Sequence, residues 1–246
     1  MYNLLKKGLK SLLPAGFMQR HERLLRFPLR LYYSGRRCHC NLCGARLRAF
    51  VSLPSGDRLC PACGSLPRHR RLWAWLQESD FLTGRLLHFS PARPLQPLLR
   101  RRPALDYLTT DYDPAAATDR HYDITAVPEP AASFDRILCY HVLEHIPDDR
   151  RAMAELYRLL RPGGRLLVQT PFRPGEIYEN PAVQTPAERL AHFGQEDHVR
   201  IYSVEGLAQR LREAGFQVEV LHWQATPQHP DPGYKEEEWA LLGGKV

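Results

Sequence analysis

The apolar positions between Ser133 and Pro171 fall into three patterned segments. Phe134 to Cys139 and Arg165 to Thr170 are nearly continuous apolar runs, the pattern of parallel strands covered on both faces. Between them, Ala152, Met153, Leu156, Leu159 and Leu160 recur at helical spacing. They predict a helix from about Asp148 to Leu160, ended by Gly163 and Gly164. Strand, helix and strand make a βαβ unit. Open parallel sheets hold ligands beyond the carboxyl ends of their strands, so the residues just after Cys139 and after Thr170 are expected to face a site.

The same reading extends the sheet on both sides. Leu86 to Phe89 and Leu105 to Thr110 are expected as its first two strands, Val204 to Ala214 as a helix, Phe216 to Trp223 as an alternating strand and Glu238 to Leu242 as the closing strand. Residues 171–202 are rich in Pro, Gly, Glu and Asn and predict an irregular lid. Their dense polar set includes Glu179, Arg189, His192, Gln195, Asp197, His198 and Arg200. Ahead of the sheet, Leu66 to Leu82 reads as a joining helix, with Arg68, His69, Arg70 and Arg71 as a basic entrance on a solvated face or at a contact with the next domain. Residues 1–33 contain two amphipathic stretches, Leu4 to Leu13 and Arg20 to Tyr33.

Charge divides the chain further. The net charge is +7 over 246 residues, but residues 1–75 carry a balance of +13 and the remainder −6. A basic N-terminal third suits RNA, an anionic membrane surface reached through residues 1–33, or the acidic remainder of the same chain. No run of apolar residues is long enough for a transmembrane helix, and the first residues lack a continuous apolar core and a small-residue cleavage site. A cytoplasmic location is the expectation.

Cysteine spacing supplies the next element. Cys40-x-x-Cys43-Gly and Cys60-x-x-Cys63-Gly are paired knuckles 16 residues apart. Each offers two thiolates from one tight turn, and four thiolates suit a structural Zn2+ with no open position. A hairpin through Leu47 to Val51 would bring the knuckles together. Cys38 is an alternative to Cys40 as ligand; Cys139 reads as a small buried apolar residue. The expected layout is a basic N-terminal helical segment (1–37), a zinc-ribbon-like module (38–66), a linker helix (67–83) and an α/β domain (84–246) with its lid at 171–202.

The motifs SFD, HVLEHI, Leu-Leu-Arg-Pro-Gly-Gly and the Pro after the next strand fall in register over residues 133–171. This block resembles class I S-adenosylmethionine-dependent methyltransferases, and "REAGFQVEVL" before the last strand resembles the end of that domain. The resemblance covers residues 84–246. It implies a Rossmann-like fold with a mostly parallel seven-stranded sheet whose last strand inserts antiparallel, and S-adenosylmethionine as cofactor.

One departure stands out. The family's glycine-rich first loop is replaced by His88-Phe89-Ser90-Pro91-Ala92-Arg93, which has no glycine. A bacterial subgroup with a similar loop, an N-terminal Cys-x-x-Cys ribbon and an "FGQ.DHvR" motif matches both ends of the chain; a degenerate, non-catalytic domain is the competing reading. The resemblance places His88, Phe89, Ser90, Cys139 and Tyr140 around the cofactor. It also places Asp111 at the ribose hydroxyls, with Asp113 in reserve, and Asp123 and Ile124 at the adenine.

Transfer of a methyl group to a hydroxyl needs an oriented acceptor and a base. His141 and His145 after the central strand, and His192 and His198 in the lid, are the available imidazoles, with His198 or His141 favoured and Glu144 and Asp197 as orienting partners. The acceptor is expected to be a small molecule or a saccharide-type hydroxyl, with RNA as the alternative. The ribbon shows no alternating aromatic platform for stacked bases.

Overall fold

The computed structural model describes residues 22–246, and the Leu4 to Leu13 stretch lies outside them. The described residues form two compact units, one comprising residues up to Trp75 together with Ala225–Glu236, the other Leu76–Gln224 with Glu237–Val246.

In the first unit, the short helices α1 (Glu22–Leu25) and α2 (Phe27–Tyr32) precede four strands: β1 (Ser34–His39), β2 (Arg46–Leu47), β3 (Val51–Ser52) and β4 (Arg58–Leu59). β1 pairs antiparallel with β2, and β3 with β4, so each cysteine knuckle adjoins a two-stranded ribbon. The helix α3 begins at Pro67 and runs to Glu78. Residues 225–236, expected within the α/β domain, belong instead to this first unit. His39 N–H donates to Asp231 O and Asp231 N–H to Arg37 O, both at short range.

Arg70 joins these pieces. Sequence reasoning placed it on a basic entrance, but it is fully buried. Its guanidinium donates to Ser65 O and Arg58 O at 2.8 Å, to Pro232 O at 2.8 Å and to Gly233 O at 2.5 Å, and lies 4.1 Å from the Phe50 ring centre. The missed signal is periodic: Arg70 precedes Trp73 by three residues and so shares the apolar face of α3.

The second unit is a six-stranded sheet in the order β11-β12-β8-β7-β5-β6. Its strands are β5 (Gly84–Phe89), β6 (Leu105–Thr110), β7 (Phe134–Tyr140), β8 (Leu160–Gln169), β11 (Gln217–Gln224) and β12 (Glu237–Gly244); the short β9 (Tyr178–Glu179) and β10 (Arg200–Ile201) form a separate ribbon. β5, β6, β7 and β8 are parallel, and β12 inserts antiparallel beside β8. Helices α4 (Gln96–Arg100), α5 (Asp149–Leu159) and α7 (Val204–Glu213) follow β5, β7 and β10. Met153, Leu156 and Leu159 of α5 share a core with Leu207 and Leu211 of α7 and with Ile137, Leu166 and Val168 of the sheet.

The expected seventh strand is reduced to one bridge between Thr110 and Arg120. The cause is the side chain of Asp119. It accepts from Thr109 N–H at 2.9 Å and from Thr109 Oγ1 at 2.7 Å, taking edge donors that a further strand would use. α5 ends close to the expected Leu160, which is already extended as the first residue of β8. Lys245 Nζ then donates to Tyr157 O and Leu160 O at 2.9 Å, satisfying carbonyls left open at the helix end.

The lid is more regular than its composition suggests. It contains the β9–β10 ribbon and a helix α6 (Pro186–Phe193), whose N-terminus is a reciprocal Thr185–Glu188 capping box and whose C-cap is Gly194.

Gly233 marks how tightly the first unit closes. It has φ of +73°, and a Cβ there would lie 2.3 Å from the Phe50 ring and 2.7 Å from Arg70 Nη2. Gly233→Ala should therefore cost about 2–4 kcal/mol, combining overpacking with left-handed strain. Loss of the protection of residues 34–75 from amide exchange would show it, with the sheet of the second unit unchanged.

Candidate active site and cysteine cluster

The carboxyl ends of β5, β6, β7 and β8 are built from residues of unusual backbone or incomplete hydrogen bonding. Ser90 directly after β5 and His141 directly after β7 have φ of +45° and +55°. Neither is a glycine, and such backbone is uncommon for side-chain-bearing residues and concentrates at functional sites. At the end of β8, Thr170 Oγ1 and Gln169 Oε1 are buried and have no hydrogen-bond partner among the described residues. Asp111 directly follows β6, and its Oδ1 accepts from Asp113 N–H at 3.0 Å.

The structure separates the cofactor candidates. Ser90 is exposed, and Asp111 is half-buried. His88 and Phe89 are buried, and His88 Nδ1 lies 2.9 Å from Tyr107 Oη. Burial pushes the His88 imidazole down to about 3, so it stands neutral within the sheet. Cys139 is fully buried in the core, and burial pushes its thiol up; the Tyr140 phenol is pushed up for the same reason. The side chains of His88, Phe89 and Cys139 are thus packed within the sheet. Asp123 is exposed, its Oδ1 accepting from Thr125 N–H and Oγ1 at 2.8 Å, which lowers its carboxyl. Ile124 is buried in the core beside it.

Three of the four imidazoles converge. A short 3-10 turn, Leu143–His145, follows β7 and presents a buried Glu144. His141 Nδ1 lies 3.1 Å from Glu144 Oε1, and His145 Nδ1 lies 3.3 Å from Asp197 Oδ2. The rings of His145 and His198 meet edge to face, with centres 4.7 Å apart. Glu144, His145 and His198 can offer ligand atoms that all lie within 4.8 Å of one another. Burial holds the His198 imidazole below its usual range, against the pull of Glu144. His192 is exposed on α6 and pairs instead with Tyr178 Oη at 2.6 Å, outside this cluster.

An arginine that was noted only as part of the lid's polar set holds the lid here. Arg200 is buried; it donates to Leu143 O at 3.2 Å, to Pro147 O at 2.8 Å and to Ile146 O, and its Nε donates to Glu179 Oε2 at 2.9 Å. Arg210 Nη2 reaches Glu179 Oε1 at 2.6 Å, and its Nη1 reaches the buried Asp149 at 2.6 Å.

In the first unit, Cys40, Cys43, Cys60 and Cys63 form one cluster, and Cys38 stands outside it. The Cys40–Cys63 and Cys43–Cys60 sulfurs are 3.7 and 3.8 Å apart. A tetrahedron with metal–sulfur bonds of about 2.3 Å has edges of about 3.8 Å, so the cluster has room for one ion. The two knuckles repeat each other: Gly44 and Gly64 N–H donate to Cys40 O and Cys60 O at 2.8 Å, and Cys40 and Cys60 N–H to Ala45 O and Ser65 O. Ser65 Oγ lies 3.3 Å from both Cys40 Sγ and Cys63 Sγ. Hydrogen bonds from neighbouring thiols push the Cys40 thiol down, while sharing the same cluster pushes Cys60 up. The buried Arg70 beside them bonds to carbonyls and Ser65 Oγ and to no carboxylate among the described residues.

Comparison with known proteins follows the same geography. The sequence model of a methyltransferase-domain family matches residues 66–221. A probable S-adenosylmethionine-dependent methyltransferase of Mycolicibacterium smegmatis is 36% identical over 100 residues, 41% of this chain and 35% of that protein. A ubiquinone biosynthesis O-methyltransferase of Thiobacillus denitrificans is 30% identical over 105 residues, 41% of this chain and 45% of that protein. The chain thus spans less than half the length of these curated relatives. Among solved structures, an S-adenosylmethionine-dependent methyltransferase from Archaeoglobus fulgidus superposes with a TM-score of 0.52 at 13% identity, covering 72% of this chain and 93% of that one. The [4+2]-cyclase SpnF superposes with a TM-score of 0.50 at 18% identity, over 71% and 80%. These two likenesses show the fold.

The lid anchor has a defined acid sensitivity. Hydrogen bonds first from Arg210 and then from Arg200 lower the Glu179 carboxyl from 4.5 to about 2. A folded-state value below the unfolded one stabilises fully above about pH 4.5, and that stabilisation is lost as the pH falls toward 2. Amide exchange in residues 171–202 should accelerate over this window ahead of the sheet. Glu179→Gln should remove the pH dependence and leave the lid fast at neutral pH.

Proposed function

The chain belongs to the methyltransferase-domain family, and from that premise we propose that it transfers a methyl group from S-adenosylmethionine to an oxygen of a small-molecule or saccharide-type acceptor. The observation that carries the reading is the convergence at the strand ends: left-handed Ser90 and His141, half-buried Asp111, unpartnered Thr170 and the Glu144–His145–His198 group.

The residues present fit the cofactor. The turn at Ser90 opens the backbone after β5 as the family's glycines would, without needing one. Asp111 at the end of β6 offers a carboxylate to two ribose hydroxyls. Asp123 stands exposed beyond the next segment and can receive an amino group. When bound, S-adenosylmethionine supplies a methyl on a positive sulfur, and the electron pair of the broken carbon–sulfur bond stays on that sulfur.

The protein's own part is to orient the acceptor and take its proton. His141, half-buried at the strand end with Nδ1 on Glu144, is placed to remove the hydroxyl proton as the oxygen–carbon bond forms, and to release it to water afterwards. Glu144 steadies the imidazolium formed at that moment. The lid, fixed by Arg200, limits water around the reacting atoms.

For the cysteine cluster we assign one structural Zn2+, held by Cys40, Cys43, Cys60 and Cys63. Sulfur separations near the tetrahedral edge and the buried, carboxylate-free Arg70 support it. Four thiolates close the coordination, so the ion serves folding. Among the described residues no helix is long and apolar enough to cross a membrane.

Calorimetric titration with S-adenosylhomocysteine should give saturable binding, weakened by Asp111→Ala by about 2 kcal/mol, roughly thirty-fold. A folded protein that binds none would remove the catalytic reading. Metal analysis should find one zinc per chain, and Cys60→Ser should abolish it and unfold residues 34–75. RNA binding that falls steeply with salt would instead favour a nucleic-acid acceptor.

A further inference from the structure

We propose that Glu144, His145 and His198 form a second metal site, distinct in place and chemistry from the four cysteines, that binds a divalent first-row transition ion at the mouth of the sheet. Glu144 and His145 come from the 3-10 turn after β7, and His198 from the lid just before β10. Their ligand atoms lie within 4.8 Å of one another. Two octahedral ligands at about 2.1 Å from a common ion lie up to about 4.2 Å apart, so small side-chain rotations bring all three into one coordination sphere.

Several features favour an ion over a chance cluster. The three groups come from two segments of the chain, and hydrogen bonds lock those segments together: Val199 N–H donates to Glu144 O at 2.9 Å, and the Arg200 side chain holds Leu143 O and Pro147 O. Glu144 and His198 are buried, at 1% and 3% exposure. Asp197 Oδ2 stands 3.3 Å from His145 Nδ1, the carboxylate-on-imidazole arrangement that orients metal-bound histidines. On the other side, His141 Nδ1 sits 3.1 Å from Glu144 Oε1 and orients that carboxylate in the same way.

The donor set decides the class of ion. Two imidazoles and one carboxylate select Zn2+, Fe2+ or Co2+ over Mg2+ and Ca2+, which take oxygen ligands. Three protein ligands also leave coordination positions open, unlike the closed cysteine site. An acceptor hydroxyl in an open position would lose its proton more readily, because the ion lowers its pKa. The site itself stands on geometry; only this role of the ion rests on the methyl-transfer reading.

The test is titration with Co2+ of protein that carries a single zinc, in its cysteine cluster, followed by calorimetry and visible absorption, with S-adenosylhomocysteine binding measured on the same samples. The expected result is one equivalent of Co2+ beyond the cysteine-bound metal, with ligand-field bands and no thiolate-to-cobalt charge-transfer band. His198→Gln should abolish it. Asp197→Asn, at a side chain 70% exposed and so harmless to folding, should weaken it by about ten-fold or more. The proposal is overturned if no further equivalent binds, if Co2+ enters only the cysteines, or if both variants bind as wild type does. S-adenosylhomocysteine binding without the extra Co2+ would sink the metal site alone; the extra Co2+ without S-adenosylhomocysteine binding would sink the methyl-transfer reading alone.

Discussion

A buried guanidinium is the constraint on which the cysteine-bearing unit depends. Arg70 is fully removed from water and has no carboxylate among its hydrogen-bond partners, only the carbonyls of Arg58, Ser65, Pro232 and Gly233 and the hydroxyl of Ser65. An uncompensated charge in that position would be costly. With the divalent ion proposed above, four thiolates would carry two negative charges, and Arg70 would offset one of them. The same side chain ties α3, the second knuckle and the 225–236 segment into one piece. A helix, a cysteine cluster and a distant loop thus meet at one side chain.

The second unit meets a related problem differently. Its lid is joined to the 3-10 turn by Arg200, whose charge is met by Glu179 and whose remaining donors are met by backbone carbonyls. Tyr202 Oη and Arg210 share the buried Asp149 at the start of α5. These contacts hold His198 beside Glu144 and His145 at the strand ends.

Much of this architecture is legible from the pattern of residues, because buried parallel strands and amphipathic helices write their period directly into the chain. The βαβ unit, the paired knuckles and the antiparallel last strand follow from spacing and motif. What escaped has physical causes. The seventh strand fails because Asp119 competes for Thr109's donors, a side-chain effect invisible to periodicity. The lid helix was readable in Thr185-Pro186-x-Glu188, a capping box with Pro at the first position, but was overlooked beside the segment's Pro and Gly content. Arg70 was misplaced because a polar side chain inside an apolar face looks exposed until its partners, the carbonyls of Pro232 and Gly233, are known. The cluster of Glu144, His145 and His198 joins residues more than fifty positions apart, a distance that spacing does not bridge.

The loop 225–236 also changes what can be cut from this protein. It leaves the sheet after β11, belongs to the cysteine-bearing unit, and returns to the sheet as β12, so the chain passes between the two units three times. A polypeptide begun at residue 76 would keep the loop but lose Arg37, His39, Arg58 and Arg70, the groups that bond it. The strand it leads into, β12, lies between β11 and β8 in the sheet. Removing the N-terminal third would therefore leave residues 225–236 without these partners, frayed at the entry to an interior strand of the remaining sheet.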